Sequence, residues 1–140
     1  MATRNGSAEW KGDLQSGSGT LTVGDGAYSG PYSFASRFED GEGTNPEQHI
    51  AAAHAACFAM ALSAILAGDG HTADAIQATS KIQLRNIDGI PTIQHIDLEV
   101  HGEVAGVEAG AFAQYAERAK RECVVSRALA GVPEIELTIV

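Results

Sequence analysis

The chain has 140 residues, enough for one domain with a real core but modest for an independent monomer. Its 18 acidic residues outnumber 9 basic ones, giving a net charge of -9 and a pI near 4.8. That balance excludes the basic face a nucleic-acid binder needs to neutralise phosphates, and it disfavours an anionic membrane surface as partner. The acids are scattered, as on a solubilising surface.

The N-terminus has no apolar run of signal-peptide type. The most apolar segment, residues 50–66, is too short for a membrane span and carries His54. These features place the chain in the cytoplasm, with no membrane partner expected.

Residues 7–13 read as a short strand, a turn follows at Gly17 and Gly19, and the alternating residues 20–23 are its hairpin partner. Gly24 and Gly26 mark another turn. Residues 28–38 place Tyr32, Phe34, Ser36 and Phe38 on one alternating face, which predicts a strand interrupted near Gly30 and Pro31. Residues 39–43 are a polar, glycine-rich loop. A helix then starts: Thr44 or Asn45 can cap it, Pro46 suits the first position and Glu47 complements the positive end of its dipole. It should run to about Ala67 and stop at Gly68 and Gly70. It is apolar or small on nearly every side, which predicts a central helix covered all round.

Residues 75–86 alternate as a strand, Asp88 and Gly89 signal a turn, and residues 91–101 form the second arm of a hairpin. On that arm Ile93, His95, Asp97 and Glu99 face one side; Ile96, Leu98 and Val100 face the other. Residues 108–123 are helical, with Phe112, Tyr115, Ala119 and Cys123 near one stripe. Residues 124–130 form a shorter helix ended by Gly131 and Pro133, and residues 134–140 a last strand. The order gives an α+β fold with a mostly antiparallel sheet. One such sheet cannot cover an apolar helix on every side, so a homodimer burying that helix is expected.

Cys57 and Cys123 are the chain's two cysteines. The plainest use of a free cysteine is as a small buried apolar residue. In the cytoplasm a pair more often serves redox or metal chemistry than a lasting structural bridge. His54 lies three residues before Cys57 and neighbours it on the helix, where a histidine can stabilise a thiolate; its bland role is a core histidine with satisfied nitrogens. A metal site would draw on His49, His54, Cys57 and Cys123, with His95 or His101, but no C-x-x-C or H-x-x-x-H spacing is present. Taken alone, Arg37 is a solvated charge at a strand end and Glu47 a first-turn acid. Serine-hydrolase and phosphate-loop motifs are absent.

The stretch TNPEQHIAAAHAACFAMAL, residues 44–62, strongly resembles the signature of the OsmC/Ohr family, the osmotically inducible and organic hydroperoxide resistance proteins. The likeness extends to residues 9–13, 32–39 and 119–126, so it covers the whole chain as a single OsmC-like domain, 1–140. The form AAAHAAC, with Arg37 in SRFE, is similar to the OsmC branch.

The resemblance implies an intertwined α+β homodimer with long central helices and a thiol-dependent organic hydroperoxide peroxidase, acting in oxidative or osmotic stress. Cys57 matches the peroxidatic cysteine, which would become a sulfenic acid. Cys123 matches the resolving cysteine, which would condense with it to a disulfide. An external dithiol, in this family a lipoyl-bearing protein, would reduce that bridge. Arg37 and Glu47 match the family's paired arginine and carboxylate. No cofactor or metal is implied. Ten residues of helix separate Glu47 from Cys57 by roughly 15 Å of rise and roughly 80° of rotation, so Glu47 is expected to reach the thiol from the partner subunit or to act through Arg37. One departure stands out: Val124 follows Cys123 where the family often has proline, which predicts a looser turn and, at most, slower or altered resolution. The rival expectation is a module that binds an apolar ligand in a pocket lined by Phe34, Phe58 and Met60, or a metal, without turnover.

Overall fold

The computed structural model describes residues 2–140. The chain forms two compact units, one ending at His49 and the other spanning Ile50–Val140.

The first unit is built on an antiparallel sheet of β1 (Gly6–Lys11), β2 (Ser18–Val23) and β3 (Tyr28–Tyr32) in that order. Register sets Trp10, Gly19 and Tyr32 side by side, and the two rings meet at 5.4 Å. A side chain at position 19 would collide with both rings, its Cβ 2.5 Å from Tyr32 and 2.7 Å from Trp10, so only glycine lets them touch.

The expected strand does not continue beyond Tyr32. Residues Phe34–Phe38 form a short helix, α1. Ser33 Oγ accepts from the Ser36 N–H at 3.1 Å while Ser36 Oγ accepts from the Ser33 N–H at 2.9 Å. This reciprocal cap satisfies backbone donors that a strand would leave to a neighbour, and it overrides the alternation. Phe34 and Phe38, four residues apart, then stack at 5.1 Å on one side of the helix.

The long helix α2 (Pro46–Gly68) starts where the sequence predicts. Asn45 is its cap: Oδ1 accepts from the Gln48 N–H at 2.9 Å, and Nδ2 donates to the Ser36 carbonyl at 2.8 Å. Thr44 instead meets His49 Nε2 at 2.9 Å.

In the second unit β4 (Ala75–Ile87) and β5 (Ile90–Glu103) make the expected hairpin. Its turn holds Asp88 at φ 52° and Gly89 at φ 84°, the tight turn that suits strand twist. The helices α3 (Ala109–Glu122) and α4 (Val124–Ala128) carry the chain back across, so β6 (Glu134–Ile139) joins β5 in parallel. The strands thus divide into two three-stranded sheets, one wholly antiparallel and one mixed.

Phe58, Leu62 and Leu66 of α2 pack on Leu98 and Val100 of β5 and on Phe112, Ala116 and Ala119 of α3. Phe58 is wholly enclosed, so truncating it to alanine would cost about 3–5 kcal/mol. α2 is long and apolar enough to cross a membrane by length and composition, with a mean hydropathy of 2.0, but this buried face makes it the core helix of the unit. The opposite stripe is not covered within the chain. Ala52, Ala56, Met60 and Ser63 are exposed, Met60 at 75 %.

Candidate functional site

Cys57 lies near the middle of α2, half-buried, and Cys123 ends α3 and caps α4 with 1 % of its surface exposed. Both are free thiols, and Cys57 packs against the buried cluster that contains Cys123. Sixty-odd residues of intervening chain are brought to one point because α2 and α3 pack on the same face of the β5 sheet.

The two sulfurs feel different surroundings. Burial pushes the Cys57 thiol up, against backbone N–H groups of Val125 and Val124 that pull it down, and contact with Cys123 adds to the rise. At Cys123 burial also raises the thiol, but the Ser126 backbone N–H, the Cys57 thiol and the Ser126 hydroxyl outweigh it, and the net shift is downward. The Ser126 N–H lies 3.5 Å from Cys123 Sγ. These shifts favour the neutral thiol at Cys57 and the thiolate at Cys123.

The first unit holds the second constellation. Arg37, in the last turn of α1, grips Glu47, in the first turn of α2, through a fork. Nη2 donates to Oε1 at 2.6 Å and Nε reaches Oε1 and Oε2 at 3.1 and 3.2 Å. Glu47 is nearly enclosed, with 12 % of its side chain exposed, whereas Arg37 retains 38 % and has guanidinium surface free for a further partner. The α1 helix creates this pairing, because it turns Arg37 back toward the start of α2.

Arg37 also walls a cavity of about 250 Å³ with Trp10, Leu14, Tyr32, Phe34 and Phe38. Its guanidinium carbon lies 5.2 Å from the Phe38 ring centre. The cavity can take an apolar group beside a cation. Of the residues expected to line a pocket with Cys57, Phe34 lines this cavity, Phe58 is buried in the core of the other unit, and Met60 lies on the exposed stripe of α2.

His54 is fully buried on α2, bonded at Nδ1 to Ser80 Oγ (3.2 Å) and at Nε2 to Ser126 Oγ (2.8 Å). Burial lowers its pKa, so the imidazole is neutral. His49 bonds Thr44, and His101 Nδ1 meets the Val140 carbonyl oxygen at 2.9 Å. Among the described residues, the metal-ligating atoms that cluster in threes are those of His95, Glu134 and Glu136; neither cysteine is among them. Ser126 and Ser80 were beyond the sequence reading. The spacing Cys123 to Ser126, a capping interval at a helix start, is the signal that points to the first; nothing local marks Ser80.

The profile of the OsmC-like protein family matches residues 39–138. Peroxiredoxin OsmC of Escherichia coli (strain K12) is 41 % identical over 127 residues, covering 90 % of this chain and 89 % of that protein. An organic hydroperoxide resistance protein of Xanthomonas axonopodis pv. citri is 30 % identical over 102 residues, covering 71 % and 68 %. The crystal structure of the organic hydroperoxide resistance protein OhrB of Bacillus subtilis superposes with a TM-score of 0.77 at 23 % identity, covering 97 % of this chain and 98 % of that one.

Proposed function

The chain belongs to the OsmC-like family, and from that membership we propose that it is a cysteine-based peroxidase that reduces organic hydroperoxides to alcohols. The observation that carries this reading is the pair of free thiols gathered at one buried cluster, in a chain related to a peroxiredoxin across most of its length.

The Cys57 thiolate attacks the distal oxygen of the hydroperoxide. The O–O bond breaks, the alcohol leaves with a proton, and Cys57 becomes a sulfenic acid. The Cys123 thiolate then attacks the Cys57 sulfur. The S–S bond forms, the S–O bond breaks, and the oxygen departs as water. An external dithiol, for which a lipoyl-bearing protein is the proposed source, reduces the bridge by exchange and returns both thiols.

Cys57 needs a cation, because its immediate surroundings raise its pKa. Arg37, held by Glu47 with part of its guanidinium free, is the proposed source, donated by a second copy of the chain. That copy would cover the exposed Ala52, Ala56 and Met60 stripe of α2. The apolar cavity beside Arg37 would receive the organic portion of the substrate. The whole forms one OsmC-like domain per chain, working in the cytoplasm.

The test is intact mass after a small excess of an organic hydroperoxide, for wild type, Cys57→Ser and Cys123→Ser. Wild type should lose two hydrogens, Cys123→Ser should gain one or more oxygens, and Cys57→Ser should not react. Unreactive wild-type thiols would overturn the peroxidase and leave ligand binding as the use of the cavity.

A further inference from the structure

Four aromatic rings and one aliphatic side chain surround the cavity beside Arg37. Two tilted ring pairs make its walls: Trp10 with Tyr32 on the sheet, and Phe34 with Phe38 on α1. The aliphatic group is Leu14, on the loop that joins β1 to β2. Leu14 is 60 % exposed, and Phe38 is 40 % exposed. Single exposed apolar side chains are ordinary. Two that line one cavity, together with three further rings, make a surface suited to an apolar occupant.

A leucine on a free loop would add little to binding, because arranging the loop costs conformational entropy. Here the arrangement is already in place. The Asp13 carboxylate accepts from the Ser16 N–H at 2.8 Å and from the Ser16 hydroxyl at 2.6 Å, and the Asp13 carbonyl oxygen accepts from the Gly17 N–H at 3.0 Å. The Trp10 indole N–H donates to the carbonyl oxygens of Gly12 and Asp13, at 3.1 and 3.2 Å. These bonds close the turn that carries Leu14 and fasten it to a ring of the cavity wall. A ligand that meets Leu14 does not bear the cost of ordering the loop.

Size sets the class of occupant. An apolar cavity of about 150 Å³ holds one benzene ring, and drug-sized ligands fill about 300 Å³ or more. At about 250 Å³ this cavity suits one ring with a short substituent. Rings on its walls favour an aryl group, through stacked and edge contacts. The Arg37 guanidinium offers N–H donors to the oxygens that such a group carries.

We infer that Leu14 is a specificity-determining residue, covering the ring of an aryl hydroperoxide bound beside Arg37. The inference rests on the peroxidase reading above and adds to it the class of organic group taken. A small alkyl hydroperoxide is too short to gain from both Leu14 and the ring walls.

Two readouts test it. The first is kcat/KM for cumene hydroperoxide and for tert-butyl hydroperoxide, which differ by a phenyl group in place of a methyl. Leu14→Ser should lower the first about ten-fold, the scale of a lost apolar contact, and the second by less than about two-fold. Leu14→Met, which keeps the apolar volume, should restore the ratio. Leu14 is exposed, so neither change threatens the fold. The second readout needs no turnover. Trp10 is the single tryptophan and lines the cavity, so its fluorescence reports occupancy. Cumyl alcohol, the product, titrated into reduced wild type should give a saturable change, with an affinity about ten-fold weaker in Leu14→Ser. No saturable change in wild type, or an affinity unmoved by Leu14→Ser, overturns the inference. Equal losses on both peroxides, with a smaller mass by light scattering, would place Leu14 in a contact between copies and overturn it as well. A wild type that turns over neither peroxide overturns the peroxidase reading instead, and the titration still decides whether Leu14 covers a bound ring.

Discussion

Individual side chains in this protein are set by a few near neighbours. Cys57 and Cys123 are chemically identical, and burial is the largest influence on each, yet at Cys123 the neighbouring donors together reverse it. His95 is a third case. Its Nε2 lies 2.8 Å from Asp97 and 3.8 Å from Glu136, and its Nδ1 lies 2.9 Å from Glu134. The Asp97 and Glu134 bonds raise its pKa by favouring the imidazolium. A raised folded value means the contribution to stability is complete below the unfolded pKa, about 6.5, and is lost as pH rises through the folded one. The melting temperature of wild type should therefore fall toward that of His95→Gln as pH is raised from about 6 toward alkaline values. Parallel curves for the two proteins would show that the cluster lends no net stability.

Among the elements, helix starts do the most to place the chemistry. Asn45 both caps α2 and ties it to α1 through the Ser36 carbonyl, and Ser36 in turn shares the reciprocal cap of α1 with Ser33. Removing both bonds in Asn45→Ala should cost about 1–2 kcal/mol, read as a lower midpoint of urea unfolding. An unchanged midpoint would mean the two helices hold their positions without it. At α4 the cap is Cys123 itself, which accepts from the Ser126 N–H, so the turn after Cys123 is ordered even with Val124 at the first helical position. Proline fits that position and stiffens it. Val124→Pro should close the disulfide faster than wild type, as the turn loses freedom; equal rates under the same peroxide pulse would refute the idea. The same substitution deletes the Val124 N–H that helps Cys57 ionise, so the first oxidation step should not share the gain.

At the scale of the whole molecule, an apolar helix leaves one stripe uncovered, and small residues on it would let a second helix approach closely. Light scattering should give the mass of a dimer. Ala56→Arg, placing a long charge in the middle of that stripe, should yield monomers that fold but turn over organic hydroperoxide at least ten-fold more slowly, because each Cys57 would lose the Arg37 of its partner. Monomers with full activity would place the activating cation elsewhere. The net charge of -9 adds long-range repulsion between copies, so dimer formation should strengthen with moderate salt.

Element by element, the sequence already contained most of this. The turn at Asp88 and Gly89, the cap and proline that open α2, and the glycines that close it are local signals, and each acts within a few residues of itself. The signature around Cys57 was equally legible because it is contiguous. What failed was the segment after Tyr32, where two phenylalanines and a serine fit a strand and a helical turn equally well and the Ser33–Ser36 bonds decided for the helix. Tertiary structure alone revealed that β6 runs parallel to β5 and that His54 joins Ser80 to Ser126, and it supplied the fork by which Arg37 grips Glu47, a pair that the family resemblance had already implied. Those facts join residues ten to more than seventy positions apart. No local periodicity or capping rule encodes such pairings; they form only when burial of the apolar faces has fixed where each element lies.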